Sequence, residues 1–457
     1  MNYFDIINLI FSILFSIIAL LMILYLIFGI AGLFFKKRFP YSKEKARFAV
    51  VVAARNEENV ICNLINSIRN CDYPREKIDI FVVAHNCTDS TALVAKNLGA
   101  IIYEYNNLNE SRKGYALNYL FRQIEKDYNI SSYDAYIILD SDNTVNKDYL
   151  LKLNDAFMAN KNSIITSYRN CSNFNDNIIS SHYGIYFMLA NRLGSRGRAY
   201  LNSTSRIQGT GYLIPSLFLI NGWNYYSLTE DLEMTCEEII NNHKIIYCDE
   251  AEFFDEQPTS INIMYKQRLR WEKGLLIVFK EKALKLTKSI LNKNTKYKIS
   301  VFDTLINITP IVLIMSIIYL LQFILLLIGF FIYKGTSFND AFLNSSIFIQ
   351  PGEILSLIFD KINTNDLWFQ LLFSCSYIYS LIRVIFLLIL ISILGAIAIY
   401  ILEHKRIKNV SIGLKILSIL TFPLFLICQL VIDIHAVFQK NVKWDTIPHK
   451  GKTNNFI

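Results

Sequence analysis

No Cys-x-x-Cys pair occurs among the eight cysteines (positions 62, 71, 87, 171, 236, 248, 375 and 428), and none stands at a zinc-like spacing from any of the six histidines. A zinc module is thereby excluded, and the cysteines read as reduced thiols in packing positions. Charge is missing from the whole of Ile6 to Phe35, a run longer than the roughly 20 apolar residues that carry a helix across a bilayer. Positive charge is also missing ahead of that run, where a cleavable signal would have it. Asp5 precedes it, and Lys36, Lys37 and Arg38 follow. The run is therefore expected to be an anchor, with residues from 36 onward in the cytoplasm.

What is abundant is apolar: 53% of the 457 residues are hydrophobic and 14% aromatic. That is enough to fill a soluble core and still face lipid. Further apolar runs cover Thr304 to Tyr333, Leu367 to Leu402 and Ile412 to Phe438. The basic Glu403-His404-Lys405-Arg406-Ile407-Lys408 suits the cytoplasm, and the more acidic Lys334 to Asp366 the outer side. The last run is interrupted by Lys415, Pro423, Asp433 and His435 and is followed by Lys440, Lys443, Lys450 and Lys452. Both its ends favour the same side, so an interfacial helix, a kinked hairpin and a single crossing all remain open.

The net charge of +8 is concentrated in Lys266 to Lys298, where eleven lysines and arginines face only Glu272 and Glu281. A basic belt beside a membrane helix is expected to meet anionic lipid headgroups, and no nucleic acid. The expected organisation is an anchor over 1–38, a cytoplasmic domain over 39–257, amphipathic interface helices over 258–300, transmembrane helices over 301–402, and an interfacial or transmembrane helix with a cytoplasmic tail over 403–457.

From Arg47 to Ile165 short apolar runs alternate with helix-type spacing. Strands are predicted at Phe48 to Ala54, Ile78 to Ala84, Ala100 to Glu104, Tyr136 to Leu139 and Ser163 to Ser167. Helices are predicted at Glu57 to Arg69, Asp89 to Asn97, Gly114 to Lys126 and Lys147 to Met158. Such alternation implies a mostly parallel sheet covered on both faces, with ligands beyond the carboxyl ends of its strands. The polar sequences fall there: Arg55-Asn56-Glu57 after the first strand, His85-Asn86-Cys87-Thr88-Asp89 after the second, Asp140-Ser141-Asp142 after the fourth. Thr88 and Asp89 serve equally as a helix cap. Asp140 and Asp142 alternate after an apolar strand and can present carboxylates to a cation.

The motif order Val52-Ala53-Ala54-Arg55-Asn56-Glu57, Lys113-Gly114-Tyr115-Ala116-Leu117-Asn118, Asp-x-Asp, Gly209-Thr210-Gly211, Thr229-Glu230-Asp231 and Gln267-x-x-Arg270-Trp271 resembles the family 2 membrane glycosyltransferases. These are the cellulose, chitin, hyaluronan and poly-N-acetylglucosamine synthases. The likeness covers roughly Phe48 to Lys280. It implies a mostly parallel, mixed-sheet α/β GT-A domain attached to transmembrane helices in a bacterial cytoplasmic membrane, and a UDP-sugar donor used with Mg2+ or Mn2+. By this resemblance Asp142 would hold the metal, and Asp231 would be the base that activates the acceptor hydroxyl. Ala53, Arg55, Glu57, His85, Lys113, Asp140, Gln267, Arg270 and Trp271 would face the donor. Gly209, Thr210, Gly211, Glu230 and Trp271 would face the acceptor. Arginine offers a fork for phosphate oxygens, and an indole a flat face for a pyranose. Glu230 and Asp231 also suit a first helical turn.

The implied activity is processive, inverting transfer of a hexose or N-acetylhexosamine to a β-linked polysaccharide that leaves through the chain's own helices, with accessory export subunits as further partners. A single addition to a lipid-linked acceptor is the alternative. His85 stands where the family usually has a uridine-contacting Asp; it could donate to a uracil carbonyl or sit on a polar rim. Trp444-Asp445-Thr446 weakly resembles the Trp-Gly-Thr gating sequence of hyaluronan synthases.

Overall fold

The computed structural model describes residues 3–332, 376–440, 442, 449 and 451. They belong to two compact units, Leu24–Pro310 with Ile397–Ile457, and Met1–Ile23 with Ile311–Ala396. The expected outer segment around 334–366 and Trp444-Asp445-Thr446 lie outside the described residues.

The larger unit is built on β1 (Phe48–Ala54), β2 (Ile78–His85), β3 (Ile101–Tyr105), β4 (Ala135–Asp140), β5 (Thr144–Val145), β6 (Ile164–Cys171), β7 (Tyr212–Pro215) and β8 (Ile245–Asp255). These form one eight-stranded sheet in the order β3-β2-β1-β4-β7-β6-β8-β5. β3, β2, β1 and β4 run parallel, whereas β7 is antiparallel to both β4 and β6. The sheet is therefore mixed, as the GT-A expectation requires.

Alternation along β1 explains why both faces are covered. Phe48, Val50, Val52 and Ala54 enter one core with α3 (Ile61–Arg69) and α6 (Tyr149–Met158), and Ala49 and Val51 enter the other with α5 (Lys113–Tyr128). A strand buried on both faces must be apolar throughout, which Phe-Ala-Val-Val-Val-Ala-Ala is. The remaining predicted helix is α4 (Thr91–Asn97). The first predicted helix starts four residues late because Glu57 to Asn59 form a turn. The Glu57 N–H donates to Thr91 Oγ1 (2.8 Å) and the Glu58 N–H to Asp89 Oδ2 (3.2 Å).

Beyond the sheet come α7 (Ile178–Leu189), a π-helical turn over Ala190–Arg196, α8 (Gly197–Tyr200), α9 (Glu230–Ile240), the 31-residue α10 (Ile261–Leu291) and α11 (Lys298–Ile308). The apolar run from Thr304 breaks at Thr309-Pro310, because proline disfavours helix at the residue before it and supplies no N–H. α12 (Ile311–Ile332) then begins. In the smaller unit α12 packs on α1 (Tyr3–Leu21): Phe15 and Tyr319 lie 4.4 Å apart, and the Tyr3 hydroxyl donates to the Leu325 carbonyl at 3.0 Å.

α2 (Ile23–Phe34), α13 (Ser376–Leu402) and α14 (Ile412–Phe438) complete the described helices used below. Among the described residues three stretches are long and apolar enough to cross a membrane, Ile6–Phe34, Val384–Leu402 and Ile412–Phe438. Lys298–Ile308 with Ile311–Leu326 would make a fourth. α14 runs unbroken through Pro423, so it forms no hairpin.

The basic belt is less free than its composition suggests. Arg268 donates to Gln429 Oε1 (2.9 Å) and to the Phe425 carbonyl (2.7 Å) of α14, and Lys273 donates to the Ala436 carbonyl (3.1 Å). Lys282 pairs with Glu237 at 2.5 Å. Lys280, Lys288 and Lys293 are exposed.

Candidate active site

The carboxyl ends of β1, β2 and β4 lie side by side, because parallel neighbours in register end together: Ala53 is paired with Val83 and with Asp140. Asparagines shape the turns that follow. Asn56 and Asn86 take the left-handed backbone (φ 56° and 53°), which asparagine tolerates better than most residues. Their side chains tie neighbouring loops, Asn56 Oδ1 accepting from the Thr88 N–H (2.8 Å) and Asn86 Oδ1 from the Asn107 N–H (2.7 Å). Arg55 lies half-buried on the first of these turns.

Lys113, the first residue of α5, joins the motifs. Its buried ammonium donates to Asp140 Oδ1 (2.5 Å) and to the Gly209 carbonyl (2.8 Å), and lies 3.7 Å from Glu230 Oε1. Burial alone would lower its pKa; the carboxylates of Asp140 and Glu230 outweigh that and keep it charged. One side chain thus brings together the Asp-x-Asp, Gly-Thr-Gly and Thr-Glu-Asp sequences.

Asn143 supports the same corner. Its Oδ1 accepts from the Asp140 N–H (3.0 Å) and from Thr210 Oγ1 (2.6 Å), and its amide donates to Asp142 Oδ1 (3.1 Å). Thr210 Oγ1 also accepts from the Asp140 N–H at 2.8 Å. Gly211 (φ +69°) has no room for a side chain: a Cβ would lie 2.0 Å from the Phe253 ring. Gly209 (φ +81°) has open space before it.

Glu230 and Asp231 are the first two residues of α9. Burial pushes both carboxyls up, Glu230 to about 7, with Lys113 pulling in the opposite direction. Arg206 adds a second positive charge facing Asp231.

α10 closes over this loop. A Cβ on Gly274 would lie 2.4 Å from Thr229 Cγ2, so the helix that carries Gln267, Arg270 and Trp271 touches the Thr-Glu-Asp turn directly. Gln267 Oε1 and Thr229 Oγ1 are buried acceptors with no hydrogen-bond partner among the described residues. Trp271 packs edge-on against Tyr183 (6.1 Å) and Phe187 (6.2 Å) of α7. The Arg169 guanidinium lies 3.8 Å from the centroid of the same Phe187 ring, bonds Asp255, and donates to the Gln208 carbonyl (3.1 Å). Asp142, Asp231 and Trp271 are thus linked through contacting neighbours.

His85 is 1% exposed. Its Nε2 contacts the Glu110 carbonyl at 2.8 Å, the ring stacks on Tyr105, and burial lowers its pKa. It is buried rather than on an exposed polar rim.

Sequence reasoning missed Asn143, Arg169, Arg206 and His449. Arg169 is the one charged residue of β6, and that was the available signal for it. His449 Nδ1 lies 3.0 Å from Glu57 Oε2, and its Nε2 lies 3.5 Å from Asp142 Oδ2. Burial would lower its pKa, but the carboxylates of Asp142 and Glu57 outweigh that and raise it; Asp142 is itself pushed up by burial.

The sheet order and the acidic loops at its carboxyl edge define a GT-A fold. Residues 46–274 match the family model described as Glycosyltransferase like family 2, and the chain belongs to that family. It is 24% identical over 243 residues to the probable glycosyltransferase YdaM of Bacillus subtilis (51% of this chain, 56% of the relative). It is 24% identical over 235 residues to the β-monoglucosyldiacylglycerol synthase of Synechocystis (49% and 47%). It is 23% identical over 279 residues to the poly-β-1,6-N-acetyl-D-glucosamine synthase of Staphylococcus epidermidis (55% and 62%). The alignments span about half the length of these curated relatives. Among solved structures, the mannosyltransferase PcManGT of Pyrobaculum calidifontis, in complex with GDP-Man and Mn2+, superposes with a TM-score of 0.50 at 12% identity, covering 83% of this chain and 96% of that one.

Proposed function

We propose that the chain is an inverting glycosyltransferase working at a membrane surface. It takes a hexosyl or N-acetylhexosaminyl group from a UDP-sugar and adds it to a β-linked polysaccharide. The observation that supports this best is Lys113, which gathers Asp140, Gly209 and Glu230 into one buried cluster beside Asp231.

Asp231 is the general base. The acceptor hydroxyl gives it a proton while the oxygen bonds to the anomeric carbon, the bond from that carbon to the diphosphate breaks, and configuration inverts. Arg206 and Lys113 face the carboxyl and favour its ionised form despite burial. Arg270 offers a fork of donors to the diphosphate. The unpartnered Gln267 and Thr229 oxygens suit sugar hydroxyls, and Trp271 offers an apolar face to a ring.

The donor set around Asp142 fits a divalent cation: a buried carboxyl with Asp140, Asp255 and Glu57 as negative neighbours. Oxygen donors of this kind suit Mg2+ or Mn2+. When bound there, the ion would neutralise charge on the leaving diphosphate.

We also propose that α14 lies along the membrane surface. Glu403 pairs with Arg192 and Arg196, and Arg406 donates to the Asp249 carbonyl (2.9 Å), so the segment ahead of α14 docks on the catalytic unit. His449, beyond its other end, docks there too. The cytoplasm is the compartment that supplies UDP-sugars, and the basic flank at Lys36 to Arg38 favours it.

Transfer to a lipid acceptor is the second reading, favoured by the likeness to the Synechocystis glucolipid synthase. Protein in nanodiscs, given a panel of UDP-sugars with Mg2+ or Mn2+, should release UDP and form long β-linked polymer. Organic-extractable product carrying one sugar would select the lipid reading. No UDP release with any donor, or unchanged turnover by Asp231→Asn, would overturn the proposal.

A further inference from the structure

The basic turn that follows α2 divides its charges. Lys36 and Arg38 reach Glu250 Oε1 (3.5 and 3.8 Å), whereas Lys37 turns elsewhere and donates to Asn202 Oδ1 (3.4 Å). Lys244, the residue ahead of β8, donates to the same oxygen at 2.6 Å. Two ammoniums therefore share one neutral acceptor, and among the described residues neither has an ion-pair partner. Burial lowers the Lys244 pKa, and the charge of Lys37 lowers it further. An anion between the two would reverse that effect. Asn202 itself is exposed, on the turn after α8, with φ +59°.

We propose that Lys37 and Lys244, meeting at Asn202, bind the phosphodiester of an anionic phospholipid. This rests on the reading of Ile6–Phe34 as a membrane span. Three features carry it. First, the two contacts place the ammoniums no more than about 6 Å apart. Ammonium-to-oxygen bonds of about 2.8 Å to two oxygens of one phosphate span such a gap.

Second, the surroundings suit a lipid better than a free anion. Lys37 closely follows Phe34, where the candidate span ends. Phe34, Phe35, Tyr200 and Leu201 are all exposed, and Phe35 stacks on Tyr200 at 4.5 Å. Lys244 lies 5.8 Å from the centroid of the Tyr297 ring, directly ahead of α11, which opens the bent candidate span. Basic pockets at the ends of membrane helices are where anionic headgroups settle. Third, a choline or ethanolamine headgroup would bring its own cation beside two ammoniums that no carboxylate neutralises, so a lipid of net negative charge is preferred. One such lipid ties together the end of α2, the turn after α8 and the residue ahead of β8.

The test uses the full chain in phosphatidylcholine bilayers with a trace of spin-labelled phosphatidylglycerol or spin-labelled phosphatidylcholine. The motionally restricted fraction gives the relative association constant of each lipid. Wild type should prefer phosphatidylglycerol. Lys37→Gln and Lys244→Gln should each cut that preference about fivefold, the contribution of one basic residue near an anionic membrane surface. Lys37→Arg with Lys244→Arg should retain it. Lys280→Gln with Lys288→Gln, which removes two exposed lysines of α10, should leave it unchanged. Loss of the preference when phosphate replaces chloride at equal ionic strength would make a free anion the occupant and overturn the lipid assignment. A preference that survives removal of both Lys37 and Lys244, or that falls as far in the Lys280 and Lys288 variant, would overturn the site and leave the membrane reading intact. No restricted lipid of either kind around the wild type would overturn both.

Discussion

At the scale of single residues, Asp231 as the proposed base should divide binding from chemistry. General bases contribute about 10²- to 10⁴-fold, so Asp231→Asn should lower kcat by that order while the dissociation constant for UDP stays within about twofold; equilibrium binding beside single-turnover kinetics would show the split. Burial raises the Asp231 and Glu230 carboxyls, Glu230 to about 7. The base works deprotonated, so kcat/KM should rise with pH through a limb above the ordinary carboxylate range. Lys113→Met removes the opposing charge and should move that limb further alkaline. A limb near pH 4 in both proteins would contradict this. The aspartates were legible in the sequence because their spacing after an apolar strand and ahead of a helix has chemical meaning on its own. His449 was not, because one histidine in a polar tail carries no local pattern; its contacts with Glu57 and Asp142 exist only where distant segments meet. Asn143 was hidden for a similar reason, since a loop asparagine beside two aspartates reads as ordinary turn chemistry.

At the scale of elements, the contact between α10 and the Thr229 turn rests on Gly274. Gly274→Ala places a methyl 2.4 Å from Thr229 Cγ2 and should displace the turn. We expect kcat to fall tenfold or more with a modest drop in Tm, and Thr229→Ala in the same protein to restore part of the rate. α8 and α11 are joined by a buried two-point pair, Arg198 to Asp303 at 2.6 and 2.8 Å. Removing one partner strands the other charge, so Arg198→Ala should cost about 3–5 kcal/mol in denaturant unfolding, and a change under 1 kcal/mol would show the pair to be dispensable. The parallel strands were legible because each is a continuous apolar run flanked by polar loops. β5, only Thr144–Val145, escaped notice, as did β7 and β8. β7 is four residues ending in Pro215, and β8 carries Asp249, Glu250 and Glu252, whose charges are answered by Arg196 and Arg406 far along the chain or by the Lys36 and Arg38 flank. Periodicity cannot anticipate partners this distant along the chain.

At the scale of the molecule, the segments before and after α14 dock on the same catalytic unit, which agrees with the like charge at both its ends. Cysteines placed at Ser411 and Lys440 should both react with an impermeant thiol reagent from the side that exposes the catalytic domain; reaction from opposite sides would make α14 a crossing. Composition made the runs long and apolar enough to cross a bilayer legible. It left α14 open, because an interfacial helix and a spanning one share length and apolarity and differ only in what they pack against.

The central claim is that Asp142, Asp231 and the α10 motif serve one donor. Determining the structure in nanodiscs with a UDP-sugar and Mn2+ tests it most directly. The account predicts the ion on Asp142, the diphosphate beneath Arg270, and the anomeric carbon facing Asp231. A donor seated with its anomeric carbon turned away from Asp231, or an ion held without Asp142, would contradict it.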